Sequence, residues 1–215
     1  MTGFQKRNTL IVVSCSLLLA GSLFGCRPAD PQAEPTTDTP QQLEQPEGSS
    51  ESSELYVVGL DGSAVDPFAQ ECRCRVFVFI TTDCPIANRY APKLQRLADK
   101  LKEQGVLFNL VYPNAGDTVD EIRQHLSDYR FECEALRDVE HALVKRVRAT
   151  VTPEAAVFDS ANQLVYCGRI DNWYVDFGKN RPEPTEHNLR DAVDAVLKGE
   201  TIPAKRVKAV GCYIP

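Results

Sequence analysis

Residues 75–92 read Arg-Val-Phe-Val-Phe-Ile-Thr-Thr-Asp-Cys-Pro-Ile-Ala-Asn-Arg-Tyr-Ala-Pro. After Arg75 the next five are β-branched and aromatic with no polar alternation, so 75–80 has the pattern of a strand buried on both faces. Thr81, Thr82 and Asp83 turn the chain. Cys84 and Pro85 then open a helix over 86–104, whose apolar positions Tyr90, Leu94, Leu97 and Leu101 recur at helical spacing. Proline suits the first turn of a helix, where its missing N–H removes no bond. The stretch therefore predicts a buried strand delivering a cysteine to a helix N-terminus. A thiol there faces unpaired backbone N–H groups and the positive end of the helix dipole, both of which favour negative charge on sulfur. Asp83 opposes them by repulsion. Cys84 is the candidate reactive residue, against the plainer role of a buried structural cysteine.

The chain on either side continues the alternation. Tyr56 to Val58 with the Asp61-Gly62 turn predicts a leading hairpin. Gly105 ends the long helix, and 106–112 is a second buried strand. Asp117 is the expected N-cap of a helix over 118–129, and 140–148 is another helix. Residues 155–158 and 164–169 are two strands joined by the turn at 159–162. Thr185 caps a last helix running to Leu197, and Gly199 stops it. Strands alternating with helices, closed by an antiparallel pair, predict an α/β fold: a central mixed sheet flanked by helices in three layers.

The N-terminal quarter is different in kind. Lys6 and Arg7 precede an apolar run over 10–24, shorter than a comfortable membrane span. Charge, apolar stretch and small residue in this order predict a secretory signal at 1–25. Leu23-Phe24-Gly25-Cys26 resembles the bacterial lipobox, with Phe24 bulkier than usual, which makes Cys26 the candidate lipidation site. Acyl chains on Cys26 would be the chain's only hold on a membrane, so the expected location is the periplasmic side of the cell envelope. Residues 26–54 are rich in Pro, Glu, Gln, Ser and Thr and too poor in apolar side chains to offset ordering entropy, so they predict a disordered tether. The folded domain is expected over 55–215.

Charge excludes one class of partner. Removing residues 1–25 takes two basic side chains and no acid, leaving 22 basic and 30 acidic, a formal charge of −8. Such a surface repels phosphate backbones, and no basic stripe with interleaved aromatics is present, so no nucleic-acid partner is expected. Cys72-Arg73-Cys74 lacks a second Cys/His pair at metal-site spacing, and His125, His141 and His187 lie singly on predicted helices. No metal or cofactor is expected; surface thiols or a local disulfide are the simpler fate of Cys72 and Cys74. Cys167, in an apolar strand, is expected in the core. Residues 171–184 form a long loop carrying Trp173, Tyr174 and Phe177. That loop either recognises a partner or packs down as an internal lid.

Val151-Thr152-Pro153, just before the third central strand, completes a pattern. Strand, Cys at a helix start, helix, strand and then Thr-Pro before a strand resembles the thioredoxin fold. The stretches 82–92, 151–155 and 168–171 resemble a bacterial redoxin group of the alkyl hydroperoxide reductase and thiol-specific antioxidant superfamily. The resemblance implies a cis Thr152–Pro153 bond beside Cys84, with Thr152, Asn88 and Trp173 facing substrate. It implies thiol–disulfide exchange with Cys84 as nucleophile, acting on protein or small-molecule disulfides with a reductant the sequence does not name. The alternatives are a thiol peroxidase, in which Thr81 matches the peroxiredoxin threonine, and a non-catalytic binding module. Departures from the family patterns are specific. Ala87 stands where thioredoxins have their second cysteine, Phe77 where peroxiredoxins have proline, and Asn88 where copper-assembly relatives have a second cysteine. A distant thiol must then resolve any adduct. Relatives with a single Cys-Pro often end in a Gly-Cys tail, so Gly211-Cys212 points to Cys212 as the resolving residue, with Cys133 as the alternative.

Overall fold

The computed structural model describes residues 55–202 and 204–215. The predicted signal at 1–25, Cys26 and the tether at 26–54 lie outside the described residues. No helix among the described residues is long and apolar enough to cross a membrane.

The strand read from residues 75–80 is the centre of the molecule. It is β3 (Cys74–Phe79), all six of its residues buried, after the small hairpin β1 (Val57–Gly59) and β2 (Ala64–Val65). Because side chains alternate across a strand, β3 feeds two cores at once. Val76 and Val78 join Ile80, Tyr90, Leu94, Ile122, Leu189 and Val193 on one face. Phe77 and Phe79 join Val57, Leu136, Leu143, Val147 and Phe158 on the other. Phe77 stacks edge-on with Phe68 and Phe158 at 5.7 and 5.8 Å. Burial of one such ring contributes roughly 1.5–3 kcal/mol.

The remaining elements run α1 (Pro85–Lys102), β4 (Val106–Tyr112), α2 (Val119–Tyr129), β5 (Glu134–Arg137), α3 (Ala142–Val147), β6 (Val151–Thr152), β7 (Glu154–Asp159) and β8 (Leu164–Gly168). After them come β9 (Tyr174–Asp176), β10 (Lys179–Asn180), α4 (Asn188–Lys198), β11 (Arg206–Val207) and β12 (Cys212–Tyr213). The main sheet has the order β11-β8-β7-β3-β4-β5-β1-β2. β3, β4 and β5 are parallel, β7 runs antiparallel to β3, and β8 runs antiparallel to β7. The first core holds the buried faces of α1, α2 and α4, the second that of α3, so the sheet is the middle of three layers as expected.

Several local expectations are corrected. Thr118, not Asp117, caps α2, in a reciprocal capping box with Glu121. Asp117 is buried and bonds Thr82 instead. Thr185 does not cap α4; His187 holds that position without a side-chain bond, and Thr185 accepts from Asn172. Cys74 is no surface thiol but fully buried in β3. Strands β5, β6, β11 and β12 had no counterpart in the sequence reading, and the loop at 171–184 contains the hairpin β9–β10.

The stretch at 168–171 serves architecture. Gly168 has φ +153°, and a Cβ there would lie 2.0 Å from the Val207 carbonyl oxygen, so only glycine lets β11 run against β8. Arg169 bonds Asn188 and pairs with Glu186 at the start of α4. Asp171 is buried, accepts from Tyr90 Oη at 2.6 Å and from the Trp173 amide at 2.8 Å, and pairs with Lys93. The loop after β8 is thereby pinned to α1.

Candidate active site

Cys84 is the N-cap of α1, with extended backbone (φ −76°, ψ 109°), and its sulfur accepts from the Ala87 N–H at 3.5 Å. Proline at the next position and the absence of any side chain competing for that N–H leave the helix N-terminus aimed at the sulfur. The thiol donates to the Thr152 carbonyl oxygen at 3.0 Å. Thr152 precedes Pro153 through a cis peptide bond, so the Thr-Pro element stands beside Cys84. Thr81 Oγ1 lies 3.4 Å from Thr152 Oγ1 in the same buried layer.

The turn that carries Cys84 is held from beneath. Thr82 Oγ1 donates to Asp117 Oδ1 at 2.7 Å. Asn88 Nδ2 donates to the Thr82 carbonyl at 3.0 Å. That bond directs Asn88 Oδ1 at His125 Nε2, 2.8 Å away, which requires the Nε2–H tautomer. His125 Nδ1 then accepts from Tyr112 Oη at 2.9 Å. Asn88 is thus a positioning residue, half-buried, with its amide committed to the turn and to His125. Burial holds His125 below its ordinary value of 6.5, with Asp128 weakly opposing. The unfolded chain therefore takes up this proton before the folded one does, and stability falls as pH drops from about 6.5 towards the folded pKa. His125→Gln is expected to flatten that part of the stability profile, read as urea midpoints between pH 7 and 5.

Cys212 reaches this site from the far end of the chain. β12 pairs antiparallel with β6, setting Cys212 against Thr152 and Tyr213 against Val151. Gly211 lies so close that a Cβ there would be 2.1 Å from the Thr152 carbonyl oxygen. Burial, together with the neighbouring Cys84, pushes the Cys212 thiol up to about 12. All six described cysteines are free thiols.

Cys133 is elsewhere. It shares a cleft with Gln95 and Ala98, and the neighbouring Glu132 amide donates to Gln95 Oε1 at 2.9 Å. At 1.5 Å per residue those helix positions are about 15–20 Å along α1 from Cys84. Burial pushes Cys133 up to about 12. Cys167 is in the core, as expected, with its thiol 3.6 Å from Glu154 Oε1. Trp173 is half-buried, packed edge-to-face on Tyr90 at 5.3 Å and on Tyr174 at 5.2 Å. The exposed large apolar side chains of that loop are Val175 and Phe177. Among the described residues no cluster of three or more His, Cys, Asp or Glu side chains is arranged to hold a metal.

The Asp117 and His125 supports were not anticipated. Both lie in the chain well after Cys84, and only the fold brings them under its turn.

No family model matches the chain, and no curated protein matches it. Solved structures do. An uncharacterised conserved protein from Geobacillus kaustophilus is similar with TM-score 0.64 and 25% identity, over 74% of this chain and 87% of that one. A hypothetical protein from Sinorhizobium meliloti 1021 is similar with TM-score 0.62 and 25% identity, over 74% and 88%. A thioredoxin candidate from Neisseria meningitidis is similar with TM-score 0.52 and 18% identity, over 66% and 87%. With a mixed sheet between helices, a cysteine capping the helix after the central strand and a cis Thr-Pro beside it, the chain has a thioredoxin-like fold.

Proposed function

We propose that this chain is a thiol–disulfide oxidoreductase of the cell envelope, with Cys84 as nucleophile and Cys212 as resolving residue. The observation that supports the reading is that both cysteines meet at Thr152, Cys84 through its bond to the Thr152 carbonyl and Cys212 through the β12–β6 register, across 128 residues of sequence. Two cysteines so placed can close a disulfide after a small adjustment of the tail.

The steps balance without a cofactor. The Cys84 thiolate attacks one sulfur of a substrate disulfide, forms a mixed disulfide and releases the other sulfur as a thiolate. Cys212, after losing its proton, attacks Cys84 Sγ, forms the Cys84–Cys212 disulfide and releases the second substrate thiolate. The substrate gains two electrons and the chain loses two. A dithiol reductant of the same compartment returns them, and the reverse sequence oxidises a substrate dithiol. The Ala87 N–H, already directed at the Cys84 sulfur, is placed to stabilise charge on it when it attacks and again when it leaves.

Stopped-flow reaction of the reduced protein separates this activity from its neighbours. Reaction with a small disulfide much faster than with hydrogen peroxide supports the oxidoreductase. The opposite order makes the chain a thiol peroxidase, and inertness of Cys84 to both makes it a binding module.

The anchor is proposed on the lipobox-like run ending at Cys26. The mature protein is expected to begin at an acylated Cys26 and to partition into detergent. Cys26→Ser is expected to block processing or release the protein to the aqueous phase. An intact mass of the native protein with no lipid increment would refute it.

A further inference from the structure

Cys84 is flanked in sequence by Asp83 and Pro85, both exposed, yet is itself only 1% exposed. Its side chain rests on the first core on one side and needs cover on the other. The structure supplies the cover. Residues 209–215 run past the site: β12 sets Cys212 against Thr152, and Gly211 presses on the Thr152 carbonyl that Cys84 also uses. The Ile214 amide donates to the Thr150 carbonyl at 3.1 Å, and the Ile214 side chain packs against the second core.

The cover is lightly held. β6 and β12 form a sheet of two short strands, separate from the main sheet. Tyr213 is 86% exposed, so its ring adds little to the hold. Pairing of this size is fixed by a few backbone hydrogen bonds and by three aliphatic side chains, Ala209 buried and Val210 and Ile214 partly so, the kind of element that opens locally while the domain stays folded.

We propose that residues 209–215 are an autoinhibitory strap. In the reduced chain β12 occupies the β6 edge and closes Cys84 off from solvent, and Cys84 reacts with an external partner only when β12 leaves. The inference goes beyond the oxidoreductase reading, because it concerns access to Cys84 whatever attacks it. It has a consequence for that reading. An extended polypeptide segment can compete for the β6 edge with its own backbone, whereas a small reagent must wait for spontaneous opening. Because Cys212 rides on the strap, it is carried away while a partner is docked and returns to Cys84 as the strap re-pairs. In an oxidising compartment the closed state also shields the thiol from progressive oxidation.

The test is alkylation by iodoacetamide, in which sulfur displaces iodide and no disulfide takes part. Failure of the strap is thereby distinguished from failure of the redox assignment. Labelling of Cys84 is followed by peptide mass spectrometry in the mature chain, in a chain ending at Lys208, and in Gly211→Val, whose added side chain meets the Thr152 backbone. Cys133, remote from the strap, is the internal control. The expected result is labelling of Cys84 at least about tenfold faster in both variants, with Cys133 unchanged. A synthetic peptide of residues 209–215 carrying Cys212→Ser should slow the shortened chain again. Equal Cys84 rates in all three proteins would overturn the strap. So would acceleration of Cys84 and Cys133 together in both variants with no slowing by the peptide, since general loosening would then explain it.

Discussion

Replacing Cys84 by serine is expected to abolish disulfide exchange, with a loss on the order of 10³-fold or more, because a hydroxyl is a far weaker nucleophile than a thiolate. The fold should survive. A serine hydroxyl can keep the bond to the Thr152 carbonyl that the thiol now makes at 3.0 Å, and it can accept from the Ala87 N–H at the cap. Stability is therefore expected to change by only about 1 kcal/mol. The measurement is paired: turnover of a small disulfide, and a urea midpoint on the same preparation. Retained turnover would remove Cys84 from the chemistry, whereas lost turnover with a collapsed midpoint would mean that the change acted through the fold.

Cys212→Ser is expected to separate the two halves of the reaction. The first thiolate should leave at the wild-type rate or faster, since Cys84 and its helix terminus are untouched. The second should not leave, so a covalent adduct on Cys84 accumulates, visible as a mass increment of one substrate half. Multiple turnover should fall by at least about a hundredfold. Cys133→Ser is expected to leave both steps unchanged, because the cleft it shares with Gln95 and Ala98 lies far along α1. Should Cys133→Ser trap the adduct while Cys212→Ser does not, the resolving role passes to Cys133 and requires a large rearrangement. If neither traps it, Cys84 works without an internal partner.

The parts of this site that were legible in the sequence are those encoded locally. A run of five apolar residues after Arg75, a turn and Cys-Pro at the head of a helical pattern define a strand and a helix within 30 residues. Burial of all six β3 side chains and the start of α1 at Pro85 agree with that reading. What was missed is short or long-range. β6 and β12 are two residues each, too few to show any periodicity, and they exist as strands only because residues 152 and 212 meet. β5 is four residues, shorter than the runs on which a strand pattern rests. The N-cap before α2 was misplaced by one residue because Asp117 and Thr118 are both good caps. The reciprocal bond with Glu121 decides for Thr118, while Asp117 is drawn to Thr82, 35 positions earlier. Gly211 reads as a flexible tail residue in one dimension. In three it is the point where no side chain fits against the Thr152 carbonyl.

The most direct test of the account is disulfide mapping of the mature protein after stoichiometric oxidation by a small disulfide, with thiols blocked at low pH before digestion. The account predicts one new linked peptide pair, Cys84 with Cys212, and Cys72, Cys74, Cys133 and Cys167 recovered as blocked thiols. A Cys84–Cys133 pair, or Cys84 recovered as a blocked thiol while other cysteines are linked, would contradict it.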